Sequence, residues 1–192
     1  MVERAFVTVV SGLPRSGTSM MMRMLVAGGL PLLSDGLRSA DEDNPEGYFE
    51  YEPVKSLATD SSWLPAARGK VLKVISELLS HLPASEEYRV IFMLRKVEEV
   101  LASQAKMLAR RGRPVPSAAE DESMGGVLLR HLDRVTRWLD GQSHMKALYV
   151  SYNQMFSRGP AHAARVDAFL GGGLDTAAMA AAVDPSLYRQ RK

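Results

Sequence analysis

With 192 residues, 46% of them hydrophobic and 24% charged, the chain has the size and composition of one soluble domain with a sizeable core. A net charge of +2 gives no global case for nucleic-acid binding, and the absence of Cys excludes disulfides and thiolate metal sites. No segment approaches the roughly 18 uninterrupted apolar residues of a membrane span, and Ala5–Val10 is too short for the core of a signal peptide, so the expectation is a cytoplasmic protein without membrane insertion.

Ala5–Val10 is a β-branched, mostly apolar run, the pattern of a strand covered on both faces. It feeds Ser11-Gly12-Leu13-Pro14-Arg15-Ser16-Gly17-Thr18-Ser19, and a helical pattern over Thr18–Ala27 follows at once. Strand, tight loop and helix N-terminus in that order make an anion cradle, because loop N–H groups converge there and the helix dipole adds roughly half a positive charge. Gly12 and Gly17 keep the spacing of a P-loop, G-x-x-x-x-G-K-[ST], but Thr18 stands where its Lys would be. Arg15 is the only cation of the loop. Such a cradle suits a phosphate without the usual equipment for ATP.

The next stretch, Leu33–Tyr51, is polar and irregular, and Asn44-Pro45-Glu46-Gly47 within it reads as a turn. Lys70–Ile75 is a second strand pattern with a lone charge, Lys73, which is costly there unless it is paired, catalytic or reaching solvent along its own stem. The third strand, Arg89–Leu94, ends at Arg95, and a helix is expected over Val97–Arg111. Ser103 then lies about two helical turns past Arg95. An arginine fork and a hydroxyl suit a dianionic phosphate monoester, the plain alternative being a solvated Arg and a helix-surface Ser.

Arg110-Arg111-Gly112-Arg113 reads as a solvated helix end, the alternative being part of an anionic-substrate mouth, and Gly112–Gly126 as a second irregular stretch. Beyond it the pattern predicts a helix over Met124–Asp140, a strand over Lys146–Val150 and a helix over Ala161–Leu170, with good helix formers again over Ala177–Ala182. Arg189-Gln190-Arg191-Lys192 reads as a frayed tail. His81 reads as a packing residue among leucines, while His131, His144 and His162 show no ligand spacing, so no metal site is expected. Alternating strands and helices predict one α/β domain over residues 1–192, an open parallel sheet of four to five strands with helices on both faces. In such a sheet the ligand lies beyond the carboxyl ends of the strands.

The loop G-x-P-R-S-G-T-S after the first strand resembles the 5′-phosphosulfate-binding loop of the sulfotransferases that use PAPS, 3′-phosphoadenosine 5′-phosphosulfate. Phe92-Met93-Leu94-Arg95 with Val100-Leu101-Ala102-Ser103-Gln104 resembles the 3′-phosphate segment of that family, and Leu148-Tyr149-Val150-Ser151-Tyr152 is similar to its strand ending in a Tyr that faces the adenine. The matches run in the family's order from residue 7 to about residue 171. The resemblance implies a P-loop-like fold and transfer of a sulfuryl group from PAPS to a hydroxyl or amine of a small-molecule or glycan acceptor. It implies Pro14, Arg15, Ser16, Gly17, Thr18 and Ser19 on the phosphosulfate, Arg95 and Ser103 on the 3′-phosphate, and Tyr152 at the base or as a core cap.

Arg15 and Lys73 are the cations that the resemblance implies for the departing oxygen. In many relatives a His follows that Lys by two residues and serves as the base; here the position is Ile75, and the family's acid pair after the Tyr is Asn153-Gln154. A carboxylate after the first helix serves as base in some relatives. Glu50 is preferred, on the expectation that burial beside Tyr48 and Phe49 raises its pKa, with Asp35 as the alternative. The sulfuryl group carries one negative charge and does not demand a metal. Two other readings stay open: a small-molecule kinase using ATP and magnesium, and a non-catalytic binder of adenosine 3′,5′-bisphosphate.

Overall fold

A computed structural model describes residues 4–41 and 47–187. Strands β1 (Val7–Gly12), β2 (Val71–Lys73), β3 (Tyr88–Leu94) and β4 (Met145–Ser151) form one wholly parallel sheet in the order β2-β1-β3-β4. The four apolar runs expected to be strands are these four. β1 extends two residues past its apolar run, because Ser11 and Gly12 still pair with Phe92 and Met93 of β3; ladder pairing uses only the backbone.

The pleat divides each strand between two cores. Val10, Ile91, Met93 and Val150 face helices α1 (Thr18–Ala27), α4 (Tyr152–Phe169) and α5 (Thr176–Ala181). Val7, Val9, Val90 and Phe92 face Leu139 of helix α3 (Ala118–Asp140) and the short 3-10 turns Glu52–Ser56, Leu64–Ala67 and Ser76–His81. Helices therefore cover both faces, as the near-continuous apolar strands require. On α1, Met21, Met22 and Met24 are all buried, unbranched chains filling the irregular gap under the sheet. Helix α2 (Val97–Arg110) leaves the carboxyl end of β3 and packs against α3.

β2 is shorter than the expected Lys70–Ile75, and two helices begin well before their expected starts. α3 begins at Ala118, so only the first part of the 112–126 stretch is irregular. Its start is a capping box: the Glu120 N–H donates to Ser117 Oγ at 3.4 Å, and the Ser117 N–H donates to Glu120 Oε2 at 2.8 Å. α4 begins at Tyr152 rather than Ala161, because the chain bends at Arg158 (φ −134°, ψ 29°) ahead of Pro160 and continues as helix.

The chain passes from β1 out to β2, then returns across β1 to β3. That reversal opens a crevice at the carboxyl ends of β1 and β3, where open α/β sheets bind ligands. Leu32 bridges Val71, with the Leu33 N–H donating to the Val71 carbonyl at 2.8 Å, so the irregular stretch starts along the outer edge of β2 and is led toward the crevice. Among the described residues no helix is long and apolar enough to cross a membrane.

Candidate active site

At the crevice lies a cavity of about 560 Å³, walled by the β1–α1 loop, the end of β2, α2, the start of α4 and Arg38, Tyr48 and Glu50. The backbone of the loop explains its two glycines. Gly12 has φ 144°, and a Cβ there would lie 2.6 Å from Ser16 Oγ and 2.7 Å from the Met93 carbonyl; Gly17 has φ 100°, and its Cβ would lie 2.2 Å from the Tyr152 ring. Arg15, at φ 70°, also takes a left-handed conformation that L residues rarely adopt. Gly17 is the N-cap of α1 and the first turn carries no acid, so the dipole and the first-turn amides meet the cavity without a competing carboxylate. Pro14, Arg15, Gly17, Thr18 and Ser19 line the cavity. Ser16 is not among the lining residues: it is buried beneath the loop, its N–H donating to the Leu13 carbonyl at 3.1 Å.

On the β3 side, residues from three elements meet. Arg15 Nε donates to Ser103 Oγ at 3.0 Å, and Arg95 Nη1 donates to the Arg15 carbonyl at 3.0 Å. Arg95 Nε donates to Glu99 Oε2 at 3.0 Å, while Asn153 Nδ2 donates to the other oxygen, Glu99 Oε1, at 2.7 Å. The Arg95 guanidinium also stacks 4.3 Å from the centre of the Tyr152 ring. Arg15 and the Arg95–Ser103 pair, which the sequence assigns to opposite ends of a ligand, thus belong to one connected cluster. Tyr152 is a buried wall of that cluster, edge-on to Phe156 and closed over by Gly17, and it lines the cavity as well. Glu99 was missed from sequence, although it stands four residues after Arg95. Asn153, at the position of the family's acid, receives its acid from α2 instead.

On the β2 side, Lys73 Nζ donates to the Tyr48 carbonyl and lies 3.8 Å from Glu50 Oε1. Arg38 Nη1 donates to the same Glu50 oxygen at 2.8 Å and its guanidinium covers the Tyr48 ring at 3.3 Å. Phe49 between them has φ 52°, a turn that sends the Tyr48 carbonyl and the Glu50 side chain to the same Lys. Burial pushes the Lys73 ammonium down to about 8, against the opposing pull of Glu50. The expectation that Glu50 sits in apolar, aromatic surroundings is corrected: its carboxylate is 27% exposed and held between two cations.

Asp35 does not line the cavity. It accepts from the backbone N–H groups of Glu52 and Leu37, and these hold its carboxyl below the usual carboxylate range, the Glu52 bond foremost. Asp35 therefore shapes the loop that carries Glu50. Ile75 lines the cavity, and none of the four His does. His131 Nε2 is 2.9 Å from Ser76 Oγ, beside Ile75 in sequence but outside the lining. Residues 44–46 of the expected turn and the tail from residue 188 lie outside the described residues. No group of three or more His, Cys, Asp or Glu is arranged to hold a metal among the described residues.

Arg110 and Arg111 are exposed at the end of α2, as a solvated helix end is. Both line the cavity, and Arg111 Nη2 reaches Asp41 Oδ2 at 3.6 Å. Arg23, Arg38 and Lys106 are further lining residues that no sequence pattern marked. Among the described residues the wall holds eight Arg and Lys against two carboxylates, Glu50 and Asp184, which makes it a receptacle for anions.

Solved structures share this architecture. The sulfotransferase domain from the Synechococcus PCC 7002 olefin synthase aligns with 98% of this chain and 81% of its own, at TM-score 0.56 and 14% identity. The fold is that of sulfotransferases. A sulfotransferase from Alicyclobacillus acidocaldarius aligns over 95% of this chain and 87% of its own (TM-score 0.52, 16% identity), and the sulfotransferase domain from the curacin biosynthetic pathway over 100% and 80% (TM-score 0.53, 12% identity). No family model and no curated protein sequence matches the chain. The likeness to the sulfotransferase fold therefore lies in backbone architecture.

Glu99 and Arg95 are a buried ion pair, with side chains 0% and 6% exposed. Glu99→Ala leaves the guanidinium without its counter-charge and is expected to cost about 3–5 kcal/mol of stability in urea unfolding. A loss below about 1 kcal/mol would rule the pair out as the anchor of the cluster. Lys73 supplies a pH signature. Its pKa of about 8 lies below the ordinary 10.5, so the folded chain loses this charge as pH rises through about 8. An anion bound beside it favours the charged form. Sulfate affinity should therefore fall about tenfold between about pH 7 and 9 by proton linkage, and the fall should vanish in Lys73→Met. A flat profile in the unsubstituted protein would detach Lys73 from the anion.

Proposed function

We propose that the protein is a PAPS-dependent sulfotransferase acting on a hydroxyl or amine of a small-molecule or glycan acceptor. The observation that carries the reading is the convergence, at the N-terminus of α1, of a Gly-bounded loop with no P-loop Lys and the Arg15–Ser103–Arg95 cluster, with the Lys73–Glu50 pair on the other side of the same cavity. The two glycines support it too: at Gly12 and Gly17 the loop packs against Ser16, Met93 and Tyr152 too closely for a Cβ, in backbone conformations that suit glycine.

PAPS supplies an activated sulfuryl group for in-line displacement, and the protein's task is positioning and charge stabilisation. Arg15 and the first-turn amides of α1 hold the phosphosulfate, with Thr18 and Ser19 as further donors. Arg95, fixed by Glu99, and Ser103 complete the cationic wall toward the 3′-phosphate. Lys73 faces the oxygen that gains charge as the S–O bond to phosphate breaks. Glu50 takes the acceptor's proton as the new bond to sulfur forms: Oε1 is held by Arg38 and Lys73, while Oε2 has no hydrogen-bond partner among the described residues. The products are the sulfated acceptor and adenosine 3′,5′-bisphosphate. A binder of that nucleotide without turnover is the second reading, favoured by Ile75 at the position where relatives carry a His.

The test uses adenosine 3′,5′-bisphosphate without magnesium. At a hundredfold excess over its dissociation constant it should stabilise the chain by about 2.7 kcal/mol. Arg15→Ala should weaken binding tenfold or more, as loss of a charge-assisted contact implies. Glu50→Gln should keep binding while lowering sulfate transfer from PAPS. Stabilisation only by ATP with magnesium would replace this reading with a kinase. Binding without transfer to any acceptor in a broad screen would leave the non-catalytic reading.

A further inference from the structure

Helix α3 is long for what it buries. Of its 23 residues only Leu139 is fully buried, with Leu132, Val135 and Trp138 packed partly against the same core. On the other side Glu120, Ser123, Met124, Val127, Arg130 and Arg134 are all exposed. At about 100° per residue these six lie within about 60° of the line through Val127. Four of the seven large hydrophobic side chains exposed among the described residues fall between Val115 and Leu129, and Met124 and Val127 are each 47% exposed. One such residue on a surface is ordinary, but a group along one segment marks a contact face.

The order of charge along the helix points to what covers that face. Glu120, Asp121 and Glu122 stand at its start, and Arg130, Arg134 and Arg137 in its second half. Glu120 is fixed by the capping box, its Oε2 accepting from the Ser117 N–H and hydroxyl at 2.8 Å each, and these bonds hold its carboxyl below the usual carboxylate range. Arg137 pairs with Asp133, and Arg130 and Arg134 border a shallow hollow beside that pair. A partner surface of one sign would attract one half of α3 and repel the other. A second copy laid antiparallel attracts both halves, because the order of charges is its own complement when reversed. With a two-fold axis at Val127, Glu120 meets Arg134 of the second copy, Met124 meets the aliphatic stem of Arg130, and Val127 meets itself.

From this face we infer that the protein self-associates through α3, as an antiparallel pair of helices related by a two-fold axis at Val127. Glu120 to Arg134 spans about 21 Å at 1.5 Å per residue. A single helix pair of that length falls short of the roughly 1,000 Å² that a stable interface buries, so the dimer is weak, with a dissociation constant on the order of 10–100 μM. No residue of α3 lines the cavity, so both sites stay open in the dimer, and the inference does not depend on the sulfotransferase reading.

Sedimentation equilibrium of the full chain between about 5 and 300 μM tests the pairing. In about 50 mM NaCl the mass should rise from monomer toward dimer, and association should weaken at about 500 mM. V127E sets two carboxylates against each other at the axis and should raise the dissociation constant about tenfold or more. L129E, also at an exposed position but about 160° round the helix, should leave it within about twofold. E120K alone and R134E alone each set like charges opposite one another and should stay monomeric. An equimolar mixture of the two restores both pairs and should associate. A chain that is monomeric throughout, a V127E protein that dimerises like the unsubstituted one, or a mixture that stays monomeric overturns the inference.

Discussion

A buried carboxylate holds the anion site together. Two arginines, Arg15 and Arg95, are brought within hydrogen-bonding distance of one another's backbone or side chain at the end of a parallel sheet, where like charges repel and desolvation is costly. Glu99, fully buried, answers both problems: one oxygen takes Arg95 and the other takes Asn153 from α4, so the carboxylate ties the guanidinium to a second helix. With Arg95 fixed, its Nη1 fixes the carbonyl of Arg15, which in turn sets the unusual left-handed turn of the loop. The geometry of the cradle is therefore inherited from a pair lying behind it.

The same economy of space governs the glycines. Gly17 is pressed against the ring of Tyr152, and Gly12 against the carbonyl of Met93, so β1, β3 and α4 close on the loop from three directions. A side chain at either position would push the loop into the cavity. The tight packing keeps the first-turn amides of α1 at the cavity wall, where the helix dipole acts over the shortest distance.

The opposite wall works by a different device. Arg38, Tyr48 and Glu50 lie outside any helix or strand, yet Tyr48 and Glu50 reach the sheet through Lys73, which takes the Tyr48 carbonyl and neighbours Glu50. A lysine buried at the end of a strand is thus given a partner by a loop, and the loop is given an anchor by the lysine. Asp35, through two backbone N–H groups, and Asp41, through Tyr48 and Arg111, pin its two sides. In this arrangement a carboxylate and an ammonium stand together at the cavity wall.

Local pattern determined much of this protein before any tertiary contact was known. Four apolar runs were strands because both faces of the sheet are covered, and Thr18–Ala27 was a helix with the bounds its periodicity implied. The cradle was legible because its ingredients, Gly12, Arg15 and Gly17 between a strand and a helix, are contiguous in the chain. Ser117 and Glu120 carried a readable start for α3 that the surrounding prolines and glycines obscured. What stayed out of reach was whatever depended on partners far along the chain. That Glu99 serves Arg95 and Asn153 rather than solvent, that Glu50 lies between two cations instead of among aromatic rings, and that Arg23 and Arg38 border the same cavity are all decided by which elements the sheet order brings together. Short-range steric and periodic preferences are written in neighbouring residues; the sign of the charge that a side chain finally meets is set by packing, and only the folded chain holds that information.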